Sequence, residues 1–191
     1  PHKWYKNEPV AVWQGYAENT LREFPVFMQL TFPNWELVEA EHQLYEPIEG
    51  HDDVSFKGFV DAMIKTTDEK GKELLWVIYW KTTGKAGWLS KQRRDFLKTA
   101  QVGLYKRYLA RKLDMPLKDI RCAYVFLKRG GKAPRAIDLF TVSVGPKFIE
   151  KADKMVDSMI KNVKKGFALK NYNSCKFCPF AQTEHCNGGQ W

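Results

Sequence analysis

The order of strand-like and helical patterns along the 191 residues predicts an α/β fold, a mixed sheet of about five strands with helices packed against it. Three observations carry this. Residues 35–81 hold three strand-like runs joined by hairpin-like connections. A long helical pattern over 91–113 follows them. Two further strand-like runs, 121–127 and 136–144, lead into a last helical pattern over 147–165.

The first element is a helical piece around 17–24, which Pro25 is expected to interrupt because proline lacks an N–H and crowds the preceding turn. The run 35–48 is polar and apolar by turns, 55–66 follows Asp52-Asp53, and 73–81 follows the turn signal Asp68-Glu69-Lys70-Gly71. Two consecutive hairpin-like connections predict a mainly antiparallel meander. Within 91–113, Phe96, Leu97, Ala100, Leu104, Tyr105, Tyr108 and Leu109 recur at helical spacing, and Pro116 lies just past the end. The later strands flank the turn Lys128–Lys132. In the last helix Met155, Val156, Met159, Ile160 and Val163 are expected to point inward, with Gly166 ending it. The chain contains no internal repeat and no low-complexity segment.

A chain of this length suits one domain, residues 1–170, with a small cysteine-rich tail, residues 171–191, packed on it. The 44% hydrophobic and 28% charged contents are ordinary for a soluble globular protein. No apolar run approaches the roughly 18 residues of a membrane-spanning helix, so no membrane partner is expected. The opening PHKWYKNEP lacks the apolar core of a signal peptide. Thirty-one Lys plus Arg against 22 Asp plus Glu give +9, which favours polyanion partners, because neutralised phosphates release counterions.

The stretch WVIYWKTTGKAGW, Trp76 to Trp88, carries the first chemical signal. Strand side chains alternate, so Tyr79 and Lys81 share a face and Trp80 takes the other. The preceding strand, GFVDAMI, places the carboxylate of Asp61 in an apolar run, and VEAEHQL one strand earlier offers Glu39 and Glu41. Paired as hairpins, these strands bring Asp61, Lys81 and one glutamate to one end of the sheet. Buried charges need such partners. A structural Asp61–Lys81 ion pair would satisfy the same spacing.

An acid after a glycine on one strand (Gly58-Phe59-Val60-Asp61), with a lysine closing the next (Tyr79-Trp80-Lys81), resembles the PD-(D/E)xK nuclease superfamily. Gln101-Val102-Gly103-Leu104-Tyr105 is similar to the Gln-x-x-x-Tyr helix motif of its RecB/AddB/Cas4-like branch, and Glu41, with Glu39 as fallback, matches a first-strand glutamate. The resemblance spans nearly the whole chain. It implies a restriction-endonuclease-like core and a metal-dependent DNA nuclease acting on single strands or DNA ends, with exonucleases frequent in the branch. It implies that Asp61 and Glu41 hold Mg²⁺ or Mn²⁺, and that Lys81 orients the nucleophile or stabilises developing charge. Gln101 and Tyr105, four apart on one helical face, would reach substrate or the metal shell. Basic residues along 91–113 (Lys91, Arg93, Arg94, Lys98, Lys106, Arg107, Arg111) would track a phosphate backbone or form a solvated face. Two positions depart from the pattern. Tyr79 stands where the second acid belongs, and the first helix lacks the branch's histidine, offering Glu18 and Glu23. A non-catalytic DNA-binding or partner-docking module on the same fold is the alternative. Partners implied by the branch are DNA and a helicase, recombination or CRISPR-type protein.

Cys175, Cys178 and Cys186 crowd the C-terminus, whereas Cys122 sits alone in the strand-like RCAYVFL as a small buried hydrophobe. The pattern reads as a metal site in a reducing, cytoplasmic compartment, a virus-infected host cell included, rather than a secreted disulfide framework. Zinc held with His185 or His2, and an iron–sulfur cluster with a remote fourth cysteine, both fit the spacing. The resemblance implies the second: a structural [4Fe-4S] cluster stapling the two ends of the domain. Pro1-His2-Lys3-Trp4-Tyr5 is similar to the motif that follows the branch's first cysteine, so a cysteine immediately before Pro1 in a longer natural chain is expected.

Overall fold

The computed structural model describes residues 9–130, 135–167, 175, 178–181 and 183–186. The chain forms two compact units, residues 1–152 and 153–191. No helix among the described residues is long and apolar enough to cross a membrane.

The first unit opens with helix α1, Val10–Thr31, which runs through Pro25 rather than stopping before it. An interior proline costs about 3 kcal/mol. Burial outweighs that here: Met28 and Phe32 are 2% and 1% exposed, and Phe24 and Phe27 pack with them against Ala62, Ile64, Ile78, Val125 and Ile137 of the sheet. Glu23 also ties α1 to the sheet, accepting the backbone N–H groups of Ala136 and Ile137 at 3.0 and 3.1 Å.

Five strands follow in one sheet of order β1-β2-β3-β4-β5: β1 Glu36–Ile48, β2 His51–Thr67, β3 Glu73–Thr83, β4 Ile120–Lys128 and β5 Ile137–Val142. β1, β2 and β3 form the expected antiparallel meander. β2 begins at His51 because the hairpin turns at Glu49-Gly50, where Gly50 adopts φ +78°; Asp52 and Asp53 already lie in the strand. The next turn is built by Asp68, whose Oδ1 accepts the N–H groups of Lys70 and Lys72, both at 2.9 Å. β4 then pairs parallel to β3, so a crossover connection is required, and β5 returns antiparallel.

That crossover holds two helices instead of the single one expected over 91–113: α2, Ser90–Arg93, and α3, Phe96–Lys112. Asp95 divides them by acting as the N-cap of α3, its Oδ1 accepting the Leu97 N–H at 3.0 Å. Of the residues at helical spacing, Leu97 is 70% exposed in the first turn, while Ala100, Leu104, Tyr105, Tyr108 and Leu109 are buried. A short 3₁₀ turn, Leu117–Asp119, leads into β4. Helix α4, Pro146–Lys164, ends before Gly166 at φ +73°. Val156 and Ile160 are buried as expected, but Met159 and Val163 are exposed. The sheet of the first unit thus has an α1 face and an α3 face, and the chemistry lies on the second.

Candidate functional site

The β2–β3 ladder ends at Ala62↔Ile78, one residue short of Asp61 and Tyr79. Past that point a side chain takes over from the backbone: Asp61 Oδ2 accepts the N–H of Trp80 at 2.8 Å. This fixes the Asp61 carboxylate against β3 between Tyr79 and Lys81. Tyr79 and Lys81 share a face, as the strand alternation requires. Lys81 Nζ lies 4.4 Å from the centre of the Tyr79 ring, an ammonium seated on an aromatic face.

On β1 the register runs Ala40↔Ala62 and His42↔Val60, so Glu41 falls opposite Asp61. Glu41 has φ +53°, an uncommon left-handed conformation for a glutamate inside a strand, and one of the kind that concentrates at functional sites. Glu39, the fallback, is engaged elsewhere, with its Oε2 2.7 Å from His42 Nδ1.

α3 brings the remaining pair. Gln101 Nε2 donates to the Tyr105 hydroxyl at 3.0 Å, and the two rings of Tyr105 and Tyr79 have centres 6.2 Å apart. Tyr105 comes this close because the facing strand residue is Gly58. A β-carbon there would sit 2.5 Å from Tyr105 Cε1. The glycine three residues before Asp61 is therefore a steric requirement of the tyrosine.

Burial pushes the Asp61 carboxyl above its ordinary range; the Trp80 N–H opposes this, the nearby Glu41 charge adds to it and Lys81 offsets it. Tyr105 is likewise raised, by burial first. The Gln101 hydrogen bond opposes that, the Tyr79 and Asp61 charges reinforce it, and a backbone hydrogen bond from Phe59 opposes it. The Glu41 charge disfavours ionisation of Asp61, and a bound cation would relieve that repulsion.

The donor set suits a hard cation of modest protein ligation. Mg²⁺ is commonly held by one or two carboxylates, with water and substrate phosphate completing its shell. Asp61 and Glu41 are the two carboxylates that would be available to it. Among the described residues no group of three or more His, Cys, Asp or Glu side chains gathers to hold a metal ion.

All six residues singled out in the sequence, Glu41, Asp61, Tyr79, Lys81, Gln101 and Tyr105, thus lie in one neighbourhood. The sequence reading missed the aromatic group beside them. Tyr124 of β4 is fully buried, its ring 5.9 Å from Tyr79 and 4.8 Å from Trp88, with its hydroxyl donating to the Lys98 carbonyl at 2.7 Å. Trp88 also meets Phe126, with ring centres 5.1 Å apart and planes tilted by 50°, and Arg93 lies 5.1 Å from the Phe140 ring while binding Asp138 at 2.9 Å. Trp88, which closes WVIYWKTTGKAGW, was the available signal; Trp76 at the other end packs on the α1 face, its ring 5.0 Å from Phe32.

The basic residues of 91–113 do not form one phosphate track. Arg93 is held by Asp138, Lys106 is buried and donates to the Val144 carbonyl at 2.9 Å, Arg107 pairs with Glu49 at 3.2 Å, and Arg111 donates to the Pro47 carbonyl at 2.6 Å. Lys91, Arg94 and Lys98 are exposed. Neither glutamate of α1 joins the site: Glu23 holds the start of β5, and Glu18 accepts from Gln14 at 2.9 Å.

In the second unit Cys175, Cys178 and Cys186 are free thiols, with the Cys178 N–H donating to the Cys175 carbonyl at 3.1 Å. His2 and the position before Pro1, where a fourth ligand is expected, lie outside the described residues. Cys122 is the buried hydrophobe its context indicated; its Sγ donates to the Val102 carbonyl at 3.4 Å and burial pushes its thiol up to about 12.

No curated protein matches the chain significantly. The family model described as the PD-(D/E)XK nuclease superfamily, however, matches residues 2–183, nearly the whole chain. With the sheet order, the acid on β2 and the lysine on β3 already in place, this match decides the family: the chain belongs to the PD-(D/E)XK nuclease superfamily.

Proposed function

We propose that this protein hydrolyses phosphodiester bonds in DNA, on single strands or ends, as a nuclease of the RecB/AddB/Cas4-like branch. One observation carries the reading: Asp61, Glu41 and Lys81 converge where β2 and β3 part, with Asp61 pinned by the Trp80 N–H. Asp61 and Glu41 would hold Mg²⁺ or Mn²⁺, which when bound supplies Lewis-acid polarisation of the phosphate and a more acidic water. Lys81 donates from Nζ to the phosphate oxygens and stabilises charge as it develops on them. The ring of Tyr79 seats that ammonium, and Gln101 fixes the Tyr105 hydroxyl against the same space. Tyr79 occupies the position of the branch's second acid and, as a phenol, contributes no carboxylate ligand. The site therefore works with two carboxylates and cuts slowly.

The Lys81–Tyr79 contact favours a second reading, a DNA-binding module on the nuclease fold, because the lysine rests on an aromatic ring where an acid would otherwise lie. Labelled single-stranded DNA incubated with Mn²⁺ separates the two. Cleavage that Asp61→Asn and Lys81→Met each abolish supports the nuclease. Binding with a steep salt dependence and no cleavage supports the module.

Cys175, Cys178 and Cys186 are proposed as ligands of a [4Fe-4S] cluster, with zinc as the competing metal. Three soft thiolates suit either, and a hard cation neither requires nor favours them. Broad visible absorption that dithionite bleaches supports the cluster, and stoichiometric zinc without iron rejects it.

A further inference from the structure

We propose that a cleft between α1 and the ends of β3 and β4 receives one unpaired nucleobase of a single-stranded nucleic acid, beside the Asp61–Lys81 site. The proposal deepens the nuclease reading and rests on it for the class of ligand. The cleft has a volume of about 350 Å³ and is lined by Trp13, Tyr16, Thr20, Thr82, Leu127 and Arg129, among others.

The walls select a flat, apolar-faced group that carries an anion. Trp13 and Tyr16 meet edge to face, with centres 6.0 Å apart and planes at 83°, so their rings form two sides of a corner. The Arg129 guanidinium lies 5.2 Å from the centre of the Trp13 ring. Arg129 is exposed but tethered, since its Nε and its backbone N–H both donate to the Thr83 carbonyl, at 3.3 and 2.9 Å. A fixed guanidinium beside an indole is a platform for base stacking with a cation in reach of the attached phosphate.

Position links the cleft to the chemistry. Thr82 lines the cleft on the α1 face, and its neighbour Lys81 points into the site on the α3 face. The two residues are adjacent near the end of β3, which closes at Thr83, so a strand that passes over this end reaches both faces. A chain of nucleotides passing over that end can present a phosphate to one face and a base to the other. A duplex cannot, because its bases are paired and stacked and would have to be extruded. The cleft thereby supplies a preference for unpaired strands.

Fluorescence anisotropy with a labelled oligodeoxythymidylate and a duplex of equal length tests this on the full chain. Trp13→Ala should weaken single-strand binding by about 5- to 150-fold, the loss of one stacked base, and duplex binding far less. Trp13→Phe should largely restore it, and Thr20→Leu, which fills the cleft without removing a ring, should weaken it as Trp13→Ala does. Single-strand affinity unchanged in Trp13→Ala and Thr20→Leu overturns the proposal, as does an absence of nucleic-acid binding. The nuclease reading is scored separately on the same oligonucleotides. Cleavage dependent on Asp61 with no effect of Trp13→Ala or Thr20→Leu removes the base site alone. Trp13-dependent binding without cleavage removes the nuclease alone.

Discussion

Gly58→Ala puts the packing of the site to a direct test. The added β-carbon would lie 2.5 Å from Tyr105 Cε1, whereas carbon atoms in contact sit about 3.5–4.0 Å apart. The ring must therefore retreat by roughly 1 Å or more, or the strand must bend. Neither is easy. Tyr105 is 5% exposed, its ring is flanked by Phe56 and Tyr79 with centres 6.1 and 6.2 Å away, and its hydroxyl is held by Gln101. Overpacking of this kind costs about 1–3 kcal/mol. For a chain of this size that is a fall in Tm of about 2–12 °C. Gly15→Ala is the control. Nothing lies within 4 Å of the β-carbon it would add in the middle of α1, so the gain in helix propensity, about 0.5–1 kcal/mol, should raise Tm slightly. Thermal unfolding followed by circular dichroism reads both. Because Tyr105 borders the site, Gly58→Ala should also reduce cleavage, by up to about a hundredfold for a 1 Å displacement. A Gly58→Ala protein with unchanged Tm and unchanged cleavage would refute the packing argument.

Two further predictions concern buried charge. Burial raises Asp61 above its unfolded range, so folding favours its protonated form and stability attached to this group grows as pH falls through the folded value. Asp61→Asn should therefore be more stable than the parent at neutral pH while losing cleavage, and the two proteins should converge in stability under acid conditions. Denaturant unfolding at pH 7 and at acid pH checks this. Lys106 has the opposite sign: burial lowers it, so it contributes stability that rises with pH through the alkaline range. Lys106→Met should flatten that alkaline rise, and denaturant midpoints between neutral and alkaline pH would reveal it.

How much of this was legible in the sequence divides along physical lines. Strand alternation in GFVDAMI and WVIYWK is local, so Asp61 and Lys81 could be placed on strands, and their faces assigned, from spacing alone. Pro25 was misleading because the rule against proline is local too, whereas Met28 and Phe32 gain their burial from strands far along the chain. Asp95 was readable as a helix cap but was hidden inside a pattern whose apolar spacing looked continuous. The basic run over 91–113 looked like a nucleic-acid track. Its partners Glu49 and the Pro47 carbonyl come from the first hairpin, 58 and 64 residues away, and no window of sequence reports that pairing. The left-handed backbone of Glu41 and the clearance that Gly58 gives Tyr105 are properties of the assembled site, and the spacing of the residues carried no sign of either.

On the proposed reading, a site with two carboxylates, Asp61 and Glu41, and with Lys81 seated on the Tyr79 ring still cuts DNA. Initial rates of Mn²⁺-dependent cleavage of end-labelled single-stranded DNA, for this chain and for Tyr79→Asp, test it most directly. Slow, Asp61-dependent cleavage by the chain is expected, with a rate on the order of tenfold higher or more for Tyr79→Asp, equivalent to about 1.4 kcal/mol or more of added transition-state stabilisation. No cleavage by this chain, with the protein still folded and still binding the oligonucleotide, would contradict it, whether or not Tyr79→Asp cuts.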